Sequence, residues 1–149
     1  MQGMTLIVKQ VTKLVSGFIF LFAIYHILLG HISPGGGFVG GVAIGCGLIL
    51  LILSYGKEYF NTLIKDRTIV IGFCLGAIAF LLLALVGYCG GTFFEDIWAG
   101  YGGKYTILSG GTIPLMNIAI GITVGACLVC VFVALIVFHQ DLKSAKGEE

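Results

Sequence analysis

The chain has 149 residues, 58% of them hydrophobic and 10% charged, with a mean hydropathy of +1.10, a composition that cannot stay soluble as a compact globule. A formal net charge of +1 excludes the basic patch that a nucleic-acid partner would require. The length suits a single membrane domain over 1–149, with no room for an attached soluble catalytic domain.

Four apolar runs predict spanning helices over about 5–30, 36–55, 68–88 and 113–138. Each reaches the ~20 residues that a helix needs to cross ~30 Å of hydrocarbon. The runs are continuously apolar and do not alternate, which disfavours barrel strands. The expected fold class is all-α, an integral membrane bundle of four transmembrane helices.

The first run carries Lys9 and Lys13 and then an apolar stretch from Leu14 to Leu29. A secretory signal would look similar, but no small-x-small cleavage motif precedes Gly30 and the stretch is long for a signal core. Ser16 and His26 are its polar residues, and His26 is expected to be satisfied by a neighbouring helix.

A glycine-packed turn follows: Gly30, His31, Ile32, Ser33, Pro34, Gly35, Gly36, Gly37, Phe38, Val39, Gly40, Gly41. Pro34 cannot continue the first helix and biases Ser33 toward an extended backbone, which makes Ser33 a candidate cap for the second helix. His31 then lies at the membrane boundary, either lining an ion entrance or bonding to headgroups. In the second helix Gly37, Gly41 and Gly45 recur every four residues, with Gly36 and Gly40 alongside. Small residues at that spacing let membrane helices approach closely, and the expected occupant of this face is a neighbouring subunit. Gly35-x-Gly37-x-x-Gly40 matches a dinucleotide fingerprint only formally, because a membrane helix stands where the preceding strand should be.

The third run repeats the small-residue spacing at Gly72 and Gly76, and the fourth at Gly121 and Gly125. Between them, the connection 89–112 mixes Phe93, Phe94, Trp98, Tyr101 and Tyr105 with glycines. Phe93, Phe94 and Trp98 predict a short interfacial helix with Glu95 and Asp96 toward water. That acidic pair either gathers cations at an entrance or is a solvated loop face. The fourth helix holds Asn117 and Thr123; Asn117 can offer its carbonyl to Na⁺ or hydrogen-bond an adjacent helix. Cys46, Cys74, Cys89, Cys127 and Cys130 read as small apolar filler, and no metal-ligand cluster is evident.

Charge placement sets the expected orientation. Lys9, Lys13, Lys57, Lys65, Arg67, Lys143 and Lys146 fall on one side of four crossings, and Lys104 alone on the other. The positive-inside rule then places both termini in the cytoplasm and the loop 89–112 outside. No charged residue falls near the middle of any predicted span, where ion-driven carriers keep their working groups. The chain is therefore not expected to carry protons by itself.

The run Gly30-His31-x-x-Pro34-Gly35-Gly36-Gly37-Phe38-x-Gly40-Gly41 between two membrane helices resembles the MnhB/MrpB family, across nearly the whole chain. The resemblance implies a small, non-catalytic subunit of a multisubunit Na⁺/H⁺ antiporter of the Mrp type, or of the related modules of membrane-bound hydrogenases and sulfur-reducing complexes. Gly111-Thr112-Ile113-Pro114-Leu115-Met116-Asn117 is more similar to those respiratory relatives. It implies other membrane subunits as partners and a multi-pass location in a bacterial or archaeal cell membrane. It also implies Na⁺ and H⁺ as transported ions, and no cofactor in this chain, with NiFe and Fe–S centres confined to partner subunits where the host is a hydrogenase. The motif glycines with Gly45, Pro34 and Phe38 are the expected packing residues, and His31, Asn117, Thr123, Glu95 and Asp96 the candidates for an ion path. A stand-alone small channel lined by Asn117 and Thr123, and a purely structural assembly subunit, are the alternatives from other classes.

Overall fold

The computed structural model describes residues 4–96 and 110–145. Trp98, Tyr101, Lys104, Tyr105 and Lys146, and with them most of the loop 89–112, lie outside the described residues. The elements are α1 (Leu6–Leu28), α2 (Gly36–Tyr55), α3 (Lys57–Leu63), α4 (Asp66–Val86), a 3₁₀ turn (Gly87–Cys89) and α5 (Ile113–Ala145). Four of them, all but α3 and the turn, are long and apolar enough to cross a membrane. There is no strand among the described residues.

The spans match the expected ones with small shifts: α1 stops at Leu28, α4 begins at Asp66, and α5 runs on to Ala145. Sequence reading missed α3. Gly56 turns the chain at a φ of 92°, and the seven-residue helix that follows drops Phe60 into a core of Ile52, Ile69, Val129 and Val133. Lys57 Nζ lies 3.8 Å from Asp66 Oδ2 across the short link into α4.

The packing order is α1, α2, α5, α4, with α1 also touching α5. Chain order alone does not require this, because α5 enters between α2 and α4. With four crossings α2 and α5 run parallel, while α1 and α4 are antiparallel to the helices they pack against. Two modes of packing divide the molecule. At the end bearing Tyr55, Asp66 and Lys143 the contacts are side chains of the Ile52 cluster. At the end bearing the glycine turn they are largely backbone on backbone. Large apolar side chains such as Leu14, Phe18, Leu75, Leu81 and Leu135 point outward, as lipid or subunit contact demands. Between α4 and α5 an apolar groove of about 550 Å³ opens beside Gly72, Gly76 and Ala119.

Candidate functional site

The glycine turn is built from its backbone. Leu29 O accepts bonds from the N–H groups of Ile32 and Ser33 and a third from the Ser33 hydroxyl at 3.1 Å. Ser33 therefore closes α1 and does not cap α2, as the sequence suggested it would. Pro34 halts the chain there, and Gly35 and Gly36 adopt φ values of 117° and 53°, a left-handed region that only glycine enters without strain. These two residues turn the chain back within a few positions of the end of α1.

With Gly35 as its N-cap, α2 has no capping side chain of its own. The cap comes from another helix: Gly37 N–H donates to Asn117 Oδ1 at 3.2 Å, a bond spanning 80 residues. A helix start leaves N–H groups unsatisfied, and asparagine is among the best acceptors for them. Asn117 is 9% exposed, and glycines make the cradle that holds it. A β-carbon at Gly36 would stand 3.1 Å from Asn117 Oδ1, one at Gly30 2.7 Å from its Nδ2, and one at Gly37 would collide with its main chain. Asn117 Nδ2 is buried without a hydrogen bond among the described residues.

The same offset of 80 continues inward. A β-carbon at Gly41 would lie 2.8 Å from Gly121 O, and one at Gly125 3.2 Å from Gly41 O. Gly45 faces Leu128 Cβ at 3.0 Å by the same measure. Gly37, Gly41 and Gly45 thus run in register with Asn117, Gly121 and Gly125, two parallel helices at backbone contact. Gly40 turns to α1, where Ile27 and the Ala23 carbonyl occupy the space that a side chain would need. The face expected to receive a neighbouring subunit is therefore filled by this chain's own α5 and α1. The physical reason is the equal spacing of small residues on α2 and α5, which lets the two backbones meet, with the Gly37–Asn117 bond at one end of the shared face. Phe38, 62% exposed, points away from these contacts.

The candidates for an ion path do not form one line. Thr123 sits on another face of α5, where its hydroxyl donates to Ala119 O at 2.8 Å and its side chain abuts Gly76. Asn117 faces the start of α2 and Gly30 in the turn after α1. His31 packs its ring on Gly110, at 2.8 Å from where a β-carbon would be, while Asp96 approaches the next residue, Gly111. Asp96 Oδ1 accepts bonds from Thr112 N–H at 3.0 Å and the Thr112 hydroxyl at 3.2 Å, next to the first turn of α5. A carboxylate there is favoured by the helix dipole. His31 and Asp96 thus converge on the segment 110–112, which neither spacing nor motif revealed.

Glu95 is in a separate exposed turn, its Oε2 accepting from Thr92 N–H at 2.9 Å and the Thr92 hydroxyl at 3.1 Å. Its surroundings differ from the expected interfacial helix. Phe94 has a φ of 64°, which no α-helix accommodates, and residues 90–96 form turns that fold the Phe93 and Phe94 rings onto Tyr88 and Phe80. His26 also departs from expectation. Its ring meets Phe22 and Tyr25 of its own helix at 4.4 and 5.5 Å, and its Nδ1 has no hydrogen bond among the described residues. Ser16 is buried and bonds back to Lys13 O at 3.1 Å. No group of three or more potential metal ligands occurs among the described residues.

Known proteins share both the sequence pattern and the fold. A family model described as a domain related to the MnhB subunit of Na⁺/H⁺ antiporter matches residues 7–130. A Na⁺/H⁺ antiporter subunit of Bacillus subtilis is 42% identical over 81 residues, covering 54% of this chain and 53% of that protein. An uncharacterized protein of Methanocaldococcus jannaschii is 32% identical over 133 residues, covering 83% of this chain and 49% of its own length. Among solved structures, a chain of the membrane-bound sulfane sulfur reductase, an archaeal respiratory membrane complex, superposes with a TM-score of 0.70 at 31% identity. That match covers 86% of this chain and 56% of the other. The chain thus spans about half the length of the relatives it matches.

Proposed function

The chain belongs to the MnhB family of Na⁺/H⁺ antiporter subunits, and from that premise we propose that it is a non-catalytic subunit of a sodium–proton antiport module in an energy-converting respiratory complex. Its part is to hold the module together and border the sodium path, while the charged carriers reside in companion subunits. One observation carries this reading. In the spans the charged and histidine side chains lie toward the ends: Lys9, Lys13 and His26 in α1, Asp66 and Arg67 in α4, His139, Asp141 and Lys143 in α5, and none in α2. Moving protons through a bilayer requires titrating groups at depth. A polypeptide that lacks them at mid-span serves transport through others.

The respiratory host is supported by the likeness to the sulfane sulfur reductase chain over most of this one. A free-standing antiporter is the second reading, favoured by the 42% identity to the Bacillus subtilis protein over 81 residues. Isolating the assembly by a tag on this chain distinguishes the two, since companion subunits with redox centres belong only to the first. Reconstitution tests the shared premise. Vesicles containing this chain alone are expected to show no Na⁺-coupled proton movement, and coupled exchange from them would refute the accessory role.

A further inference from the structure

At the lysine-bearing end, α1, α2 and α3 enclose a half-open cleft of about 270 Å³. Leu48 and Leu51 of α2, with Phe60 and Ile64 around α3, give it an apolar floor. Its rim is different in kind: Lys13, Tyr55 and Tyr59. The two tyrosine rings stack at 5.2 Å, and Lys9 Nζ lies 5.7 Å above the Tyr55 ring, so a second cation flanks the opening. Tyr55 hydroxyl is occupied by Lys9 O at 3.4 Å, while the Tyr59 hydroxyl has no protein partner among the described residues. Neither Lys9 nor Lys13 has a carboxylate partner among the described residues, and Lys57 is the lysine that pairs with Asp66.

We propose that this cleft binds one anionic phospholipid, its acyl chain lying on the Leu48–Phe60 floor and its phosphate held by Lys13 and Lys9 at the rim. Three properties select this occupant. The space is too small for a helix from another subunit, whose body with side chains measures about 10 Å across, but suits part of a single hydrocarbon chain. The lining pairs apolar depth with cations and interfacial tyrosines, the layering of a lipid leaflet itself. Lys13 also stands where the apolar stretch of α1 begins, and a lysine at that depth extends its ammonium to the headgroup level. In this reading α3 is the lower jaw of a lipid clamp: Phe60 anchors it to the core and Tyr59 meets the headgroup.

The experiment uses the full chain purified in mild detergent with the subunits that accompany it, its retained lipids quantified by mass spectrometry. Anionic phospholipid is expected to be enriched over its share of the source membrane. Each of the substitutions Lys9→Ala and Lys13→Ala should lower that retention roughly fivefold, whereas Lys13→Arg should preserve it. Leu51→Trp, which fills the floor and leaves both cations in place, should also lower it. Undiminished anionic lipid in the double alanine variant overturns the proposal. So does a photoreactive benzophenone at position 59 that cross-links to a polypeptide segment and not to phospholipid.

Discussion

At the level of single residues, the space around each glycine separates those that hold helices together from those that merely occur in a membrane. Gly41 has a carbonyl of α5 where a β-carbon would go, whereas Gly17 has nothing within 4 Å. Gly41→Ala is therefore expected to destabilise the helical core by about 1–3 kcal/mol, since backbone cannot retreat as a side chain can. Gly17→Ala should be neutral or stabilising by up to about 1 kcal/mol. Denaturation of the purified protein in mixed detergent micelles measures both, and equal effects would contradict the close-contact account. Asn117→Ala removes the cap of α2 and should cost about 1 kcal/mol by the same measurement. Gly36→Ala, which crowds the same amide from the other side, should not add its full effect to that of Asn117→Ala, because the two share one contact. Sequence spacing made Gly37, Gly41 and Gly45 legible as a packing face. That Asn117 closes its outer end was not legible, because a cap supplied from 80 residues away leaves no local signature.

Among the elements, α3 and the connection 89–112 were the hardest to read, for opposite reasons. α3 is seven residues long, too short to show a period, and a helix of that length is not stable by itself. It exists because Phe60, 4% exposed, docks between Ile52, Ile69 and Val129. Phe60→Ala is expected to release it at a cost of about 3 kcal/mol, seen as proteolytic cleavage between positions 56 and 65 at protease levels that leave the unaltered protein intact. In the connection 89–112 the aromatic residues did suggest a helix. The paired Thr92–Glu95 bonds and the left-handed Phe94 make a turn instead, since ring packing onto α4 outweighs helical propensity over so short a stretch. Its exposed Cys89 also gives a test of orientation. If the lysine-bearing end faces the cytoplasm, a membrane-impermeant maleimide should label intact cells and lose that labelling on Cys89→Ser. Labelling that appears only after the cells are opened would reverse the orientation.

For the whole molecule, the order α1, α2, α5, α4 gives each face a distinct task. α2 and α5 form a parallel pair at the centre, α1 closes one flank and α4 the other, and the outward faces of α1 and α4 expose large apolar side chains. The arrangement presents closely packed backbone inside, apolar surface outside and few charges. This agrees with membership of an antiporter subunit family and with the fold shared with a respiratory membrane complex. Sequence by itself determined the membrane class, the four spans, the glycine turn and the family, because hydropathy, chain punctuation and a long motif are local properties that survive in one dimension. Only the tertiary structure decided what the glycines touch, that Asn117 and Thr123 part company, and that His31 and Asp96 meet adjacent residues of one short segment, Gly110 for the first and Gly111 and Thr112 for the second. Small-residue faces carry no address: a stripe of glycines specifies close approach but not the partner, and here the partner is α5, which brings matching small residues and the Asn117 cap to the same face.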